Sequence, residues 1–268
     1  MIYEYILKAD IYSPEIILLL VGTGFLIGVV NTLAGSGTAI GYAVFMLLGL
    51  PPAYANGTVR IGVIPQTFVA SWNFYKKGLL KVRRALYISI PITAGSVLGA
   101  QIAVSINQEI FKYIIGVAII MMLFFVIYKP QRWLQGIDTE RKEKPKIWQI
   151  LVYFAIGTYG GFIHIGVGIF LLAALVLISG YDLLSANSYK VFVVLIYTPF
   201  ALSVFILNDH IHYGLGLISA VGNTLGGVLA SKFAVKYGSK ALRWILIVVL
   251  SLFSAHLFGL FYFIYKLF

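Results

Sequence analysis

Apolar runs fall at residues 13–34, 38–50, 56–75, 85–105, 110–128, 147–165, 168–180, 186–207, 213–234 and 241–265. They are punctuated by Pro51-Pro52, Lys76-Lys77-Gly78, Asn107-Gln108-Glu109, Asn208-Asp209 and Gly238-Ser239. About 20 apolar residues in a helix cross a hydrocarbon core of about 30 Å. The pattern therefore predicts an all-α integral membrane protein with about eight to ten transmembrane or re-entrant helices. The runs 38–50 and 168–180 are short. A helix of about 13 residues rises only about 20 Å, so these two are re-entrant, broken or extended by their flanks.

Composition agrees with the pattern. Of the 268 residues, 60% are apolar and 11% charged, where a soluble domain carries about 25% charged residues. The first run follows Glu4, Lys8 and Asp10 without a basic leader or a small-residue cleavage site, so it reads as a retained transmembrane segment. The absence of cysteine removes disulfides, thiolate metal sites and cysteine nucleophiles from consideration.

The net charge of +11 would point to nucleic acid in a soluble protein. Here its placement indicates orientation instead, because Lys and Arg concentrate in cytoplasmic loops. Three clusters land on one face: Lys76, Lys77, Lys81, Arg83 and Arg84; Lys129, Arg132, Arg141, Lys142, Lys144 and Lys146; and Lys232, Lys236, Lys240 and Arg243. They hold 15 of the 20 basic residues. That face is expected to be cytoplasmic, with the linker 129–146 on it and both termini outside. The setting is a cell membrane, and nucleic acid is not an expected partner.

The chain also matches itself at a constant offset of 131 residues. Gly35, Gly37, Asn56, Thr67 and Phe74 recur as Gly166, Gly168, Asn187, Thr198 and Phe205, and Thr93–Leu98 recurs as Thr224–Leu229. Each half holds five runs, an odd number, so the halves are expected to be inverted: 1–128 and 147–268, joined by 129–146. Inverted repeats are a recurring plan for secondary transporters. A channel or a non-transporting assembly protein of the same origin is the alternative.

In such transporters, paired Gly-interrupted segments mark the substrate site. Here they are Asn31, Gly35, Ser36, Gly37 and Thr38 in the first half, and His164, Gly166 and Gly168 in the second. A helix starting after each Gly-x-Gly would present free N–H groups and a positive dipole end to an anion. Glycines at small-xxx-small spacing, such as Gly24/Gly28, Gly95/Gly99, Gly157/Gly161 and Gly222/Gly226, are expected to serve close helix packing.

Arg60 and Lys190 stand inside apolar runs, near Asn56 and Asn187 on the same helical faces. Snorkelling to the interface would also accommodate them. No Asp or Glu lies deep in a run, so two cations without buried acids favour an anionic substrate over a metal cation. His164 could carry a proton or simply pack. Gln66, Thr67, Tyr197, Thr198, Asn223 and Thr224 could line a cavity or hydrogen-bond between helices. His210 and His212 read as an external loop rather than a metal pair. No P-loop, zinc-protease motif or nucleophile elbow is present, so neither an enzyme nor a cofactor is expected.

The segments Gly24–Arg60, Gly160–Lys190 and Gly222–Arg243 resemble the TauE/SafE family of sulfite and organosulfonate exporters. The resemblance covers most of the chain outside residues 1–12 and the linker. It implies transport of sulfite or another small sulfonated or carboxylated anion. Ser36 stands where members of that family often have another glycine. The combined expectation is a secondary carrier exporting a small anion by alternating access, alone or as a homo-oligomer.

Overall fold

The computed structural model describes residues 12–107 and 146–257. The expected run 110–128, nearly all of the linker and both chain ends lie outside the described residues. The described residues form eight helices and no strand. They are α1 (Pro14–Leu33), α2 (Thr38–Leu47), α3 (Pro52–Lys76), α4 (Val82–Ser105), α5 (Ile147–Phe162), α6 (Val167–Ala173, running on through a π turn, Ala174–Ile178), α7 (Leu183–Leu207) and α8 (Tyr213–Leu257).

Local chemistry sets the boundaries. Pro14 and Pro52 occupy first-turn positions, where a missing N–H costs nothing. The Asp182 carboxylate caps α7 by accepting from the Ser185 N–H at 3.0 Å. α3 ends at Lys76, and Gly78 turns the chain with φ +71°. α8 joins the run 213–234 to the part of the run 241–265 that is described, as far as Leu257, but Gly238 breaks its direction with φ 69°, ψ −167°. The turn expected at Gly238-Ser239 is therefore a kink, not a loop.

Among the described residues, four stretches are long and apolar enough to cross a membrane: Pro14–Leu33, Val82–Ser105, Leu183–Leu207 and Tyr213–Ser239. α3 is equally long but carries Asn56, Arg60 and Gln66 in its interior, all buried in protein. It lies in the centre, packed against both α7 and α8.

The short helices form hairpins with their predecessors. The Gln149 side chain near the start of α5 donates to the Ile178 carbonyl at 3.1 Å, and the Tyr153 hydroxyl lies 2.6 Å from Ser179 Oγ. α6 thus ends beside the beginning of α5. With 16 residues in α5, about 24 Å of rise, the hairpin tip at residues 163–166 is buried inside the protein. The outer ends of α1 and α2 likewise share one apolar cluster, through Ile16, Leu20 and Phe45, with Ala55 and Val59 at the start of α3 and Leu215 at the start of α8. The α5–α6 hairpin roots at the other end of α3, where Tyr153, Val176 and Tyr181 join Phe74 and Leu80.

Packing between helices follows the small-residue spacing. A Cβ on Gly24 or Gly28 would meet the Ser219 or Asn223 carbonyl at 2.4 and 2.3 Å, and Gly222 and Gly226 face the carbonyls of Val21 and Phe25 just as closely. The same arrangement joins α4 to α5: Gly95 and Gly99 against Phe154 and Thr158, Gly157 and Gly161 against Ile92 and Ser96. Without a hydrophobic drive between helices in lipid, close backbone approach supplies the attraction. α1 thus pairs with α8, and α5 with α4.

Candidate functional site

The two hairpin tips meet. A Cβ on Gly35 would lie 2.5 Å from the Gly168 Cα, so the backbones touch only because both residues lack one. Gly35 turns with φ +82° and Gly166 with φ +67°, conformations glycine adopts without steric cost. His164, between α5 and α6, adopts φ 63°, which is unusual for a residue with a side chain. The Gly-interrupted segments of the two halves are therefore neighbours in space, although their sequence positions are far apart.

A helix end buried in protein leaves its last carbonyls without partners unless side chains reach them. At the end of α5 they are taken in order. Arg60 Nη2 donates to the carbonyls of Gly160 at 3.1 Å and Gly161 at 2.7 Å. Asn56 Nδ2 donates to Phe162 at 2.7 Å, the Tyr42 hydroxyl to Ile163, Thr38 Oγ1 to His164 at 3.0 Å and the Tyr159 hydroxyl to Ile165 at 2.7 Å. Six consecutive carbonyls, 160 to 165, each accept from a side chain. Five of those six bonds come from the first half of the chain.

Arg60 is fully buried. Its Nη2 also donates to Asn56 Oδ1 at 2.9 Å, and its Nη1 lies 3.2 Å from His164 Nδ1. Its guanidinium carbon sits 5.0 Å from the centre of the Phe205 ring. Only Nε lacks a partner. A guanidinium can only donate, so His164 Nδ1 accepts, and a neutral ring carries its proton on Nε2. The Tyr197 hydroxyl, 3.1 Å away, converges on the same Nδ1.

Lys190 performs the reciprocal task. Its Nζ donates to the carbonyls of Asn31 at 3.1 Å and Thr32 at 2.9 Å, near the end of α1. Each cation thus sits at the negative end of a helix from the other half. Snorkelling does not describe either one: both side chains are buried. Around Lys190, Gln66 Nε2 donates to Thr32 Oγ1 at 3.1 Å and Asn31 Nδ2 lies 3.5 Å from Gln66 Oε1. Asn187 is different. It is fully buried, and neither its Nδ2 nor its Oδ1 has a partner.

The N–H groups at the starts of α2 and α6 remain. Those of Ser36, Gly37 and Thr38, and of Val167 and Gly168, donate to no group among the described residues. Ser36 itself is buried. Asn31, Gly35, Gln66, Thr67, His164, Val167, Gly168, Lys190, Val191 and Val194 line a cavity of about 10 Å³, room for one water. It joins residues from both tips and from α3 and α7, but it is closed to any larger ligand.

The expected residues thus divide. Asn31, Gly35, Gln66, His164, Gly168 and Lys190 share the cavity, while Arg60, Asn56, Thr38 and Tyr197 surround the second tip. Ser36, Gly37 and Gly166 shape the tips, and Asn187 stands unpartnered. Asn223 turns its amide toward Gly24 and Ser219 carbonyls, at 2.7 and 3.2 Å with nitrogen as donor, so it belongs to α1–α8 packing. Thr224 and Thr198 bond back within their own helices. His212 Nδ1 accepts from Leu215 N–H and His210 packs on Tyr54, so that pair closes an interhelical loop. Sequence reasoning missed Tyr42 and Tyr159. Tyr42 stands one helical turn after Thr38, on the same face, and that spacing was the available signal.

The profile described as Sulfite exporter TauE/SafE matches residues 20–257. A probable membrane transporter protein of a Sinorhizobium species is 24% identical over 84% of this chain and 85% of its own length. One from Haemophilus influenzae is 25% identical over 88% and 91%, and one from Escherichia coli 23% over 91% and 90%. No solved structure matches. The chain belongs to the TauE/SafE family and is a multi-pass membrane protein of a transporter family.

Proposed function

We propose that this member of the TauE/SafE family is a secondary carrier for a small oxyanion, sulfite or a small organosulfonate, working by alternating access. The observation that carries the proposal is the meeting of two glycine hairpin tips, each braced by a cation from the opposite half. Where the tips meet, five backbone N–H groups lack partners and two buried cations stand close by, with no acidic residue in the membrane interior among the described residues. Such donors suit a small anion.

In this reading the halves 1–128 and 147–268 are inverted repeats. The matching helix pairs, α1 with α8 and α5 with α4, are what that symmetry requires. The closed cavity is then an occluded state. Rocking of one half against the other opens it to either side in turn, and Gly35 sliding on Gly168 is the point of shear. Arg60 and Lys190 hold the tips while the cavity is empty and turn toward the anion when it enters.

Counterflow in liposomes tests this. Protein reconstituted with internal sulfite or methanesulfonate should accumulate labelled external substrate, saturably. Arg60→Ala and Lys190→Ala should each reduce that flux at least tenfold. Flux that never saturates and shows no counter-exchange would favour a channel of the same fold. No flux of any small oxyanion would leave an assembly role.

A further inference from the structure

Arg60 and Lys190 occupy matching places, yet they differ in one chemical respect. A guanidinium keeps its proton at all accessible pH, whereas a buried ammonium can lose one. We propose that Lys190 is a proton carrier, so that each anion moves together with one proton. This rests on the carrier reading of the same site and adds the coupling ion to it.

The geometry supports the assignment in three ways. Lys190 is buried, and among the described residues its hydrogen-bond partners are two carbonyls at the end of α1, which carry partial negative charge but are not a counter-ion. A neutral amine has two N–H donors, so the two carbonyls satisfy both, while an ammonium would hold a third donor without an acceptor in the empty site. Second, no counter-ion is at hand. Of the titratable groups, His164 shares its cavity. Arg60 on α3 and Tyr189 and Tyr197 on α7 itself are also buried, and the hydroxyls of Tyr42 on α2 and Tyr159 on α5 are taken by the Ile163 and Ile165 carbonyls. Asp182, the acid on α7, stands at the helix start, where its carboxylate accepts from the Ser185 N–H. On α8, Lys232 and Lys236 are exposed; α1 carries only Glu15, at its outer end, and α4 only Arg83, Arg84 and Tyr87, in its first turns. A buried charge without a partner tends to neutralise. Third, Lys190 lines the closed cavity with Gly35, Gly168 and His164, so an anion entering there would meet it.

The step balances. The neutral amine takes up one proton as one monovalent anion binds, and the loaded site gains no net charge. When the anion leaves on the other side, the ammonium again lacks a counter-ion and releases its proton there. The result is electroneutral symport, whose direction is set by the sum of the anion and proton gradients.

The test uses the full chain in liposomes with methanesulfonate, which does not titrate near neutral pH, and an internal pH dye. Wild type should move about one proton per methanesulfonate, at a rate indifferent to a potassium-diffusion potential. Lys190→Arg should bring the ratio to near zero and make residual flux respond to the potential. His164→Gln should leave the ratio near one. Methanesulfonate flux without protons in the wild type overturns this inference and spares the carrier. A ratio lost in His164→Gln but kept in Lys190→Arg overturns it in favour of the histidine. Absence of any flux in the wild type overturns both readings.

Discussion

Arg60 and Asn56 hold the second tip by donating to the carbonyls of Gly160, Gly161 and Phe162 at the end of α5. Their counterparts do less. Lys190 reaches two carbonyls of α1, and Asn187 reaches nothing. The positions that match Thr38 and Tyr42 at the 131-residue offset are Ile169 and Ala173, which have no hydroxyl to offer. The first tip is therefore braced by fewer side-chain bonds than the second. Two equivalent asparagines should consequently respond to the same substitution with opposite sign. Asn56→Leu removes the side-chain donor from the Phe162 carbonyl and an acceptor from Arg60, which should cost about 1–3 kcal/mol. Asn187→Leu removes two buried polar atoms that have no partner, and should stabilise by about 1–2 kcal/mol. Thermal melts in detergent report both as shifts of apparent Tm, down and up. If Asn187 engages substrate in another state of the cycle, its leucine variant will also transport more slowly than its stability suggests. A drop in Tm for both variants would show that the Asn187 amide is satisfied in the protein.

At the scale of elements, helix interfaces should be sensitive wherever glycine carries a backbone contact and tolerant where it does not. Gly161→Ala places a methyl group 1.9 Å from the Ser96 carbonyl, which only separation of α4 and α5 can relieve. Overpacking of this kind costs about 1–3 kcal/mol. Gly22→Ala meets nothing within 4 Å on α1 and should gain about 0.5–1 kcal/mol through helix propensity. Equal melting of the two variants would refute this account of α4–α5 packing. Much at this scale was legible beforehand. Helix ends were announced by Pro51-Pro52, Lys76-Lys77-Gly78 and Asn208-Asp209, and the packing glycines by their four-residue spacing. The shortness of the run 168–180 left re-entry open as one of three readings, but its pairing with α5 was not legible, because it depends on Gln149 meeting Ile178 and Tyr153 meeting Ser179, contacts between chain segments that periodicity does not connect. The glycine tips and the two cations were visible as types in a pattern. What each cation binds was not, since Arg60 and Gly160 are a hundred residues apart and only the fold joins them.

For the whole molecule, charge and aromatic placement set the expected orientation in the membrane. Exposed Trp72, Tyr75, Trp148 and Tyr237 lie toward the end that bears Lys76, Lys77, Lys146 and Lys236, while exposed Tyr12 and Tyr213 lie toward the other. Amphipathic rings favour both membrane interfaces, and basic residues favour the cytoplasmic one. The hydrocarbon layer should therefore span the region between these belts, with the α5–α6 hairpin entering from the cytoplasm and the α1–α2 hairpin from outside. The chain has no cysteine, so single cysteines report sidedness without background. Lys77→Cys and Lys236→Cys should resist a membrane-impermeant maleimide in intact cells and react after permeabilisation. Asn208→Cys, at the exposed turn after α7, should react in intact cells. Gln135→Cys, in the linker, should behave like Lys77→Cys. The inverted arrangement requires the first three results together, because α3 and α7 must run in opposite directions for the two cations to cross-brace the two hairpins. Labelling of Lys77→Cys and Asn208→Cys from the same side would leave the sequence repeat as duplication without inversion, and alternating access would lose its structural basis.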